Sequence, residues 1–132
     1  MGPDNVERLR AVYQEWARGN FRAGRELLAP DVTFVTFTSD ADDLTFHGPD
    51  GVDRYMRDFL ETWTDFRVQA NDFRPSGERI LVICEQRAKG RQSGVAVEMP
   101  VYAVWTFRED RVVRVRWLRD RDQAFTEAGL PA

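Results

Sequence analysis

The sequence predicts an α+β protein: a curved antiparallel β-sheet wrapped on one face by three N-terminal helices, an arrangement that leaves a cavity. Three observations carry this. Apolar residues recur at helical spacing through the first half of the chain. Extended apolar segments separated by turn residues fill the second half. The stretch from Val95 to Asp120, VAVEMPVYAVWTFREDRVVRVRWLRD, has two arms crowded with Val, Tyr, Trp, Phe and Thr around the polar run Arg108 to Arg111, which reads as a long β-hairpin. At 132 residues the chain is expected to form one domain, 1–132, with a single core.

Val6, Leu9, Val12, Tyr13 and Trp16 fall on one side of a helix that begins near Asp4 and carries Glu7, Arg8, Arg10 and Glu15 on the other. Asp4 or Asn5 can cap it, and Gly19-Asn20 ends it. A second short helix is expected over Phe21 to Leu28, closed by Pro30. DVTFVTF from Asp31 alternates as a strand, and TSDADD is a polar loop. After the extended piece LTFHG, Gly48-Pro49-Asp50-Gly51 opens a third helix through Trp63, with the stripe Val52, Tyr55, Met56, Phe59, Leu60, Trp63. FRVQANDFR and ERILVICEQRAK read as strands joined at Pro75-Ser76-Gly77, and GRQSG links them to the hairpin. Asp120 or Asp122 caps a last short helix, Gln123 to Ala128, stopped by Gly129.

Hairpin register follows from which pairing buries most. A three-residue loop at Glu109 to Arg111 sets Phe107 opposite Val113, Trp105 opposite Val115 and Ala103 opposite Trp117. One face then bears Val101, Ala103, Trp105, Phe107, Val113, Val115 and Trp117, and the other Tyr102, Val104, Thr106, Val112, Arg114, Arg116 and Leu118. The helices cover the first of these faces. The second would leave Tyr102, Val104, Val112 and Leu118 side by side in water, so a homodimer through this outer sheet face is expected.

A net charge of −3 argues against nucleic-acid and membrane-surface partners, which call for a basic excess. The opening MGPDNVERLR lacks the apolar stretch of a signal peptide, so a cytoplasmic location is expected. Cys84, the single cysteine, sits in the apolar run ILVIC and reads as a buried structural thiol. No metal-ligating set and no cofactor motif stands out, and none is expected.

Glu85 and Arg87 are expected on the side of Val101 and Ala103, whereas a slip of one residue would place Val82, Cys84 and Gln86 there instead. An inward Glu and Arg two residues apart are costly to bury unless paired with each other or with a ligand. His47, the only imidazole, lies where a loop enters the third helix and could act as base or donor. Tyr13, Trp16, Tyr55, Phe59, Trp63, Trp105 and Trp117 are core by default, yet so many large rings in one small domain also suit a cavity for a flat ligand.

The order of two helices, strand, helix and four antiparallel strands resembles the SnoaL-like, or nuclear transport factor 2-like, cone fold over nearly the whole chain. LLAPDVTF, FHGPDGV, the SGV before the hairpin and the segment VWTFREDRVVRVRWLRDRDQAFTEAGL carry the resemblance. It implies a deep apolar pocket and frequent dimers, and it spans cyclases, isomerases, epoxide hydrolases, dehydratases and binding domains, so chemistry must come from the site. The positions that bear the ketosteroid isomerase acids and tyrosine fall here on Val12, Ala103 and Thr36, and those of the limonene epoxide hydrolases on Arg87, Lys89 and Trp117. Of these only Arg87 keeps the family's residue type.

The sequence therefore predicts a protein that binds a small hydrophobic, ring-containing molecule, with a cofactor-independent isomerase, cyclase, dehydratase or epoxide hydrolase activity open. The alternative is a non-catalytic dimeric binding or interaction module. Arg87, Glu85 and His47 are the catalytic candidates. Tyr13, Trp16, Tyr55, Phe59, Trp63, Val101, Ala103, Trp105 and Trp117 are the ligand-binding candidates.

Overall fold

The computed structural model describes residues 3–37 and 43–131. Helix α1 (Pro3–Ala17) is followed by a turn region containing a single 3-10 turn, Arg25–Leu27. Then come strands β1 (Leu28–Phe37) and β2 (Asp43–His47), helix α2 (Gly48–Thr62), strands β3 (Trp63–Ser76), β4 (Arg79–Gly90), β5 (Ala96–Arg108) and β6 (Arg111–Leu118), and helix α3 (Arg121–Ala128). Apart from Asp43, which begins β2, the expected TSDADD loop lies outside the described residues.

Leu9, Val12 and Tyr13 of α1 are buried as the periodicity requires. Asn5 does not cap the helix. Its amide reaches across to the carbonyl of Glu109 at 2.9 Å, tying α1 to the hairpin turn, where Glu109 itself has a φ of 58°. The second expected helix is not formed. Gly24 has a φ of 94°, and a Cβ there would stand 2.9 Å from Val12 Cγ1, so the chain can pass beneath α1 only as a glycine turn. Leu28 is already extended, and Pro30 lies within β1 instead of ending a helix.

The sheet order is β2-β1-β6-β5-β4-β3, and β1 runs parallel to β6 with Phe34 beside Val115, so the sheet is mixed where an antiparallel one was expected. The hairpin keeps Trp105 opposite Val115 and Ala103 opposite Trp117. Nearer the turn it departs from expectation: Phe107 pairs with Val112, and Val113 forms a bulge behind a turn at Glu109-Asp110. The bulge rotates Val112 from the outer to the inner face, where it is fully buried.

Between β4 and β5, Ile80 meets Trp105, Val82 meets Ala103 and Cys84 meets Val101. The inner face of β4 is therefore Ile80, Val82, Cys84 and Gln86. Glu85, opposite Pro100, and Arg87, opposite Glu98, belong to the outer face, which overturns the side first assigned to them.

Two helices, α1 and α2, pack on the inner face, against which the main core assembles. Helix α3 crosses to the other side. Its Ala124, Phe125 and Ala128 cover Leu81, Tyr102, Val104 and Leu118 in a second, smaller core. The Asp120 carboxylate accepts from the Gln123 backbone N–H at 2.8 Å, and Gly129, at a φ of 78°, ends the helix. The outer apolar patch that motivated the dimer is thus closed within one chain, because the C-terminal helix, not one of the three expected on the first face, covers the second.

Candidate functional site

Where α2 and the turn region lean over the inner face they leave a cavity of about 760 Å³. Its floor is strand: Phe34 and Thr36 of β1, Val115 and Trp117 of β6, Trp105 of β5, and Gln86 of β4. Its roof is the α2 face bearing Val52, Tyr55, Met56, Phe59 and Leu60, the stripe that helical spacing dictates. Trp16 from α1 closes one flank, and Phe21 and Phe66 another.

The aromatic residues fall into two walls. Trp16 lies 6.0 Å from Trp105 and 6.3 Å from Trp117, ring centre to ring centre. In the second, Tyr55 stands 5.2 Å from Phe34 and 5.9 Å from Phe59, and Phe59 packs edge-on against Phe66 at 4.7 Å. Such tilted and edge-on contacts fix ring planes by quadrupole preference as well as by area.

Hydrogen bonds hold the Trp wall in place. Trp16 Nε1 donates to the Ala23 carbonyl at 3.0 Å, pinning the turn region over the cavity. Trp105 Nε1 donates to the Tyr13 hydroxyl at 2.9 Å in a fully buried contact. Burial pushes the Tyr13 hydroxyl far above its ordinary value, and burial pushes the neighbouring Cys84 thiol up to about 12. Both therefore stay protonated, and Cys84 is the inert structural thiol expected of it.

Inside the cavity the polar groups are few. Thr36 is buried among apolar neighbours beside Tyr55. Burial raises the Tyr55 hydroxyl above its ordinary value, and the nearby Thr36 hydroxyl offsets only part of that. Tyr55 thus remains a donor over the physiological range. Gln86 brings an amide to the far side of the floor.

The exposed Arg22, Arg25, Asp53 and Arg57 complete the lining at its rim. Arg25 Nε contacts Asp53 Oδ2 at 2.8 Å and its Nη2 contacts Asp50 Oδ1 at 3.3 Å, strapping the turn region to α2.

Of the residues singled out in the sequence, the cavity brings together Trp16, Tyr55, Phe59, Trp105 and Trp117. Tyr13 stands behind Trp105 as a core residue, and Val101 and Ala103 are fully buried beneath the sheet surface without reaching the lining. Trp63 is half-buried at the start of β3, stacked toward Phe59 at 6.4 Å but outside the cavity. His47 is an exposed residue at the N-terminus of α2 whose side chain caps nothing. Its partner across the strands is Thr33, on the side away from the cavity. Glu85 and Arg87, on the outer face, are also outside the lining. The rim arginines and Thr36 in a lining role escaped the sequence reading, and Gln86 entered it only through the alternative register. An inward polar residue in an apolar strand was the available signal, and the register slip that brings Gln86 inward was the one to follow.

Among the described residues no cluster of three or more His, Cys, Asp or Glu could hold a metal ion, and no helix is long and apolar enough to cross a membrane.

Residues 9–115 match the model of the SnoaL-like domain. Among curated proteins none matches the sequence. Among solved structures, a nuclear transport factor 2-like protein of unknown function from Burkholderia pseudomallei is 24% identical with a TM-score of 0.80, the match covering 96% of this chain and 98% of that one. TerC, co-crystallised with polyporic acid, is 19% identical with a TM-score of 0.75, over 94% of this chain and 96% of its own. A Jannaschia protein assigned as a SnoaL-like polyketide cyclase is 17% identical with a TM-score of 0.75, over 100% and 98% of the two chains. At these identities the likeness is one of fold.

Proposed function

The chain belongs to the SnoaL-like domain family, and we propose that it uses the inner cavity to bind a small, flat, hydrophobic molecule containing one or more rings. The observation that carries this reading is the composition of the cavity: two groups of aromatic rings around a volume of about 760 Å³, with the neighbouring Thr36 and Tyr55 hydroxyls and the Gln86 amide as its uncharged polar points. A volume of that order suits a drug-sized ligand, and sparse convergent polar groups fix a ligand's orientation while apolar walls supply affinity. The similarly folded TerC was co-crystallised with a small molecule, polyporic acid.

A second reading, cofactor-independent isomerisation, cyclisation, dehydration or epoxide opening, is favoured by one feature. Tyr55 and Thr36 form a hydroxyl pair in apolar surroundings, the kind of donor set that stabilises a developing enolate or alkoxide oxygen. Proton abstraction also needs a base. Among the described lining residues the only carboxylate is Asp53, which faces the rim and is held by Arg25, and there is no imidazole. Binding, with chemistry limited to orienting a reactive molecule and polarising one oxygen, is therefore the reading we favour.

Titration of the protein with N-phenylnaphthylamine, followed by dye emission and tryptophan quenching, tests it. Saturable binding at one site per chain, displaced by neutral polycyclic ketones and weakened by Trp117→Ala, is expected. Absence of saturable binding by a folded protein would overturn the proposal.

A further inference from the structure

Resting on the cavity reading above, we propose that the molecule held there is an anionic ring compound, whose negative group stays at the mouth and is met by Arg22 and Arg57. Four charged residues line the cavity: Arg22, Arg25, Asp53 and Arg57. Asp53 is taken by Arg25 at 2.8 Å, and Arg25 is further neutralised by Asp50 at 3.3 Å. Arg22 and Arg57 enter no ion pair among the described residues. With Asp50 counted beside the lining, three arginines stand against two aspartates at the mouth, a local excess of one positive charge contributed by Arg22 and Arg57. The chain as a whole carries −3, so the mouth reverses the sign of the molecule around it. Apolar walls of low polarisability focus such a field toward the opening and draw anions to it.

The interior points the same way. Tyr55 offers a hydroxyl that burial keeps protonated, and Thr36 and Gln86 can donate as well, so an electron-rich oxygen on the ligand finds donors deep in the cavity. Thr36 lies on β1 and Gln86 on β4, with β6 and β5 between them. Three strand spacings separate the two, about 14 Å along the sheet and less as a chord across its curve. Trp117, Val115 and Trp105 stand on the intervening strands. The spacing fits a molecule two or three rings long, lying flat across the tryptophan floor with oxygens toward both ends. An acidic phenol, enol or carboxylate on such a frame satisfies interior and rim together, whereas a cationic amine would meet like charge at the mouth.

Anilinonaphthalene sulfonate and N-phenylnaphthylamine share one ring system and differ by the sulfonate, so the pair isolates the charge. Dissociation constants are measured for both dyes with the wild type, with Arg22→Gln/Arg57→Gln, and with Arg54→Gln/Arg87→Gln, which removes the same charge away from the cavity. The proposal expects tighter sulfonate binding by the wild type and about a ten-fold loss in the rim variant, the scale of two solvent-exposed charge contacts. The neutral dye should be unaffected in every variant, the control should match the wild type, and added salt should erase the preference. Arg57→Lys, which keeps the charge, should retain most of the sulfonate affinity. Circular dichroism verifies that the exposed substitutions leave the fold intact. Equal binding of the two dyes, or a rim variant no weaker than the control, overturns the anionic assignment and leaves the cavity reading standing. Failure of both dyes to bind removes the cavity reading and this inference with it.

Discussion

The two faces of this sheet solve the same problem differently. On the outer face a helix of eight residues, α3, closes tightly over Leu81, Tyr102, Val104 and Leu118, and its Glu127 accepts from Arg114 at 3.1 Å and contacts Arg116 at 3.3 Å. On the inner face two helices of fifteen residues each span a wider, curved surface, and α2 with the turn region leaves the aromatic cavity over the strands. Small residues, Ala124 and Ala128, let α3 approach closely, whereas Tyr55, Phe59 and Trp16 hold their elements away from the strands. Tight packing contributes stability and spare volume contributes a site, so equally large substitutions on the two faces should separate in their effects.

The largest stability loss is expected from the outer face. Phe125→Ala removes a ring that is fully buried under the helix and should cost about 3–5 kcal/mol, read as a lowered urea midpoint with unchanged slope. Trp117→Ala, an equal or larger truncation on the half-buried cavity floor, should cost only about 1–2 kcal/mol while weakening dye binding more than any outer-face change. If the two substitutions cost the same, the contrast between the faces is wrong.

Val104→Glu sharpens the comparison. Taken from the sequence alone, this change would split a dimer. With Val104 2% exposed beneath α3, it instead buries an unpaired carboxylate and should destabilise the single chain by roughly 2 kcal/mol or more. Light scattering and thermal melting together check it: a stable Val104→Glu protein of halved mass would restore the interface reading of this face.

How much was legible follows from the same faces. The pairings of Trp105 with Val115 and Ala103 with Trp117 were legible because a one-residue slip would have set a tryptophan against an arginine. The β4 register was not: Ile80, Leu81, Val82, Ile83 and Cys84 are apolar on both sides, because α3 covers one face and the core fills the other, so alternation carries no signal. Glu85 and Arg87 were misplaced for that reason. The bulge at Val113 and the parallel pairing of β1 with β6 depend on distant strands and leave no local mark. The aromatic walls were visible as residues, but which rings would line space and which would fill the core was set by the two helices' stand-off, which no local pattern records.

A smaller effect concerns the buried pair behind the Trp wall. Tyr13 and Cys84 have raised values in the folded chain, so the unfolded chain loses protons first as the solution becomes alkaline. Their contribution is therefore intact below the unfolded values of 9.0 for the thiol and 10.0 for the phenol, and is lost as the pH rises above them. Urea midpoints taken between about pH 8 and pH 11 should fall more steeply for the wild type than for Tyr13→Phe. Parallel curves would show that Tyr13 does not carry the alkaline loss. Smaller still, Glu85→Ala and Arg87→Ala should each change stability by less than about 0.5 kcal/mol and leave dye affinity unchanged, as outer-face residues beyond the cavity.

The central claim is that the volume between the tryptophan and phenylalanine walls is a ligand site. A crystal structure of the protein soaked with anilinonaphthalene sulfonate tests it most directly. The account predicts the naphthalene ring lying over Trp105 and Trp117 between Thr36 and Gln86, with the sulfonate toward Arg22 and Arg57. Dye bound on the outer face around α3, with the inner cavity filled by rearranged side chains, would contradict it.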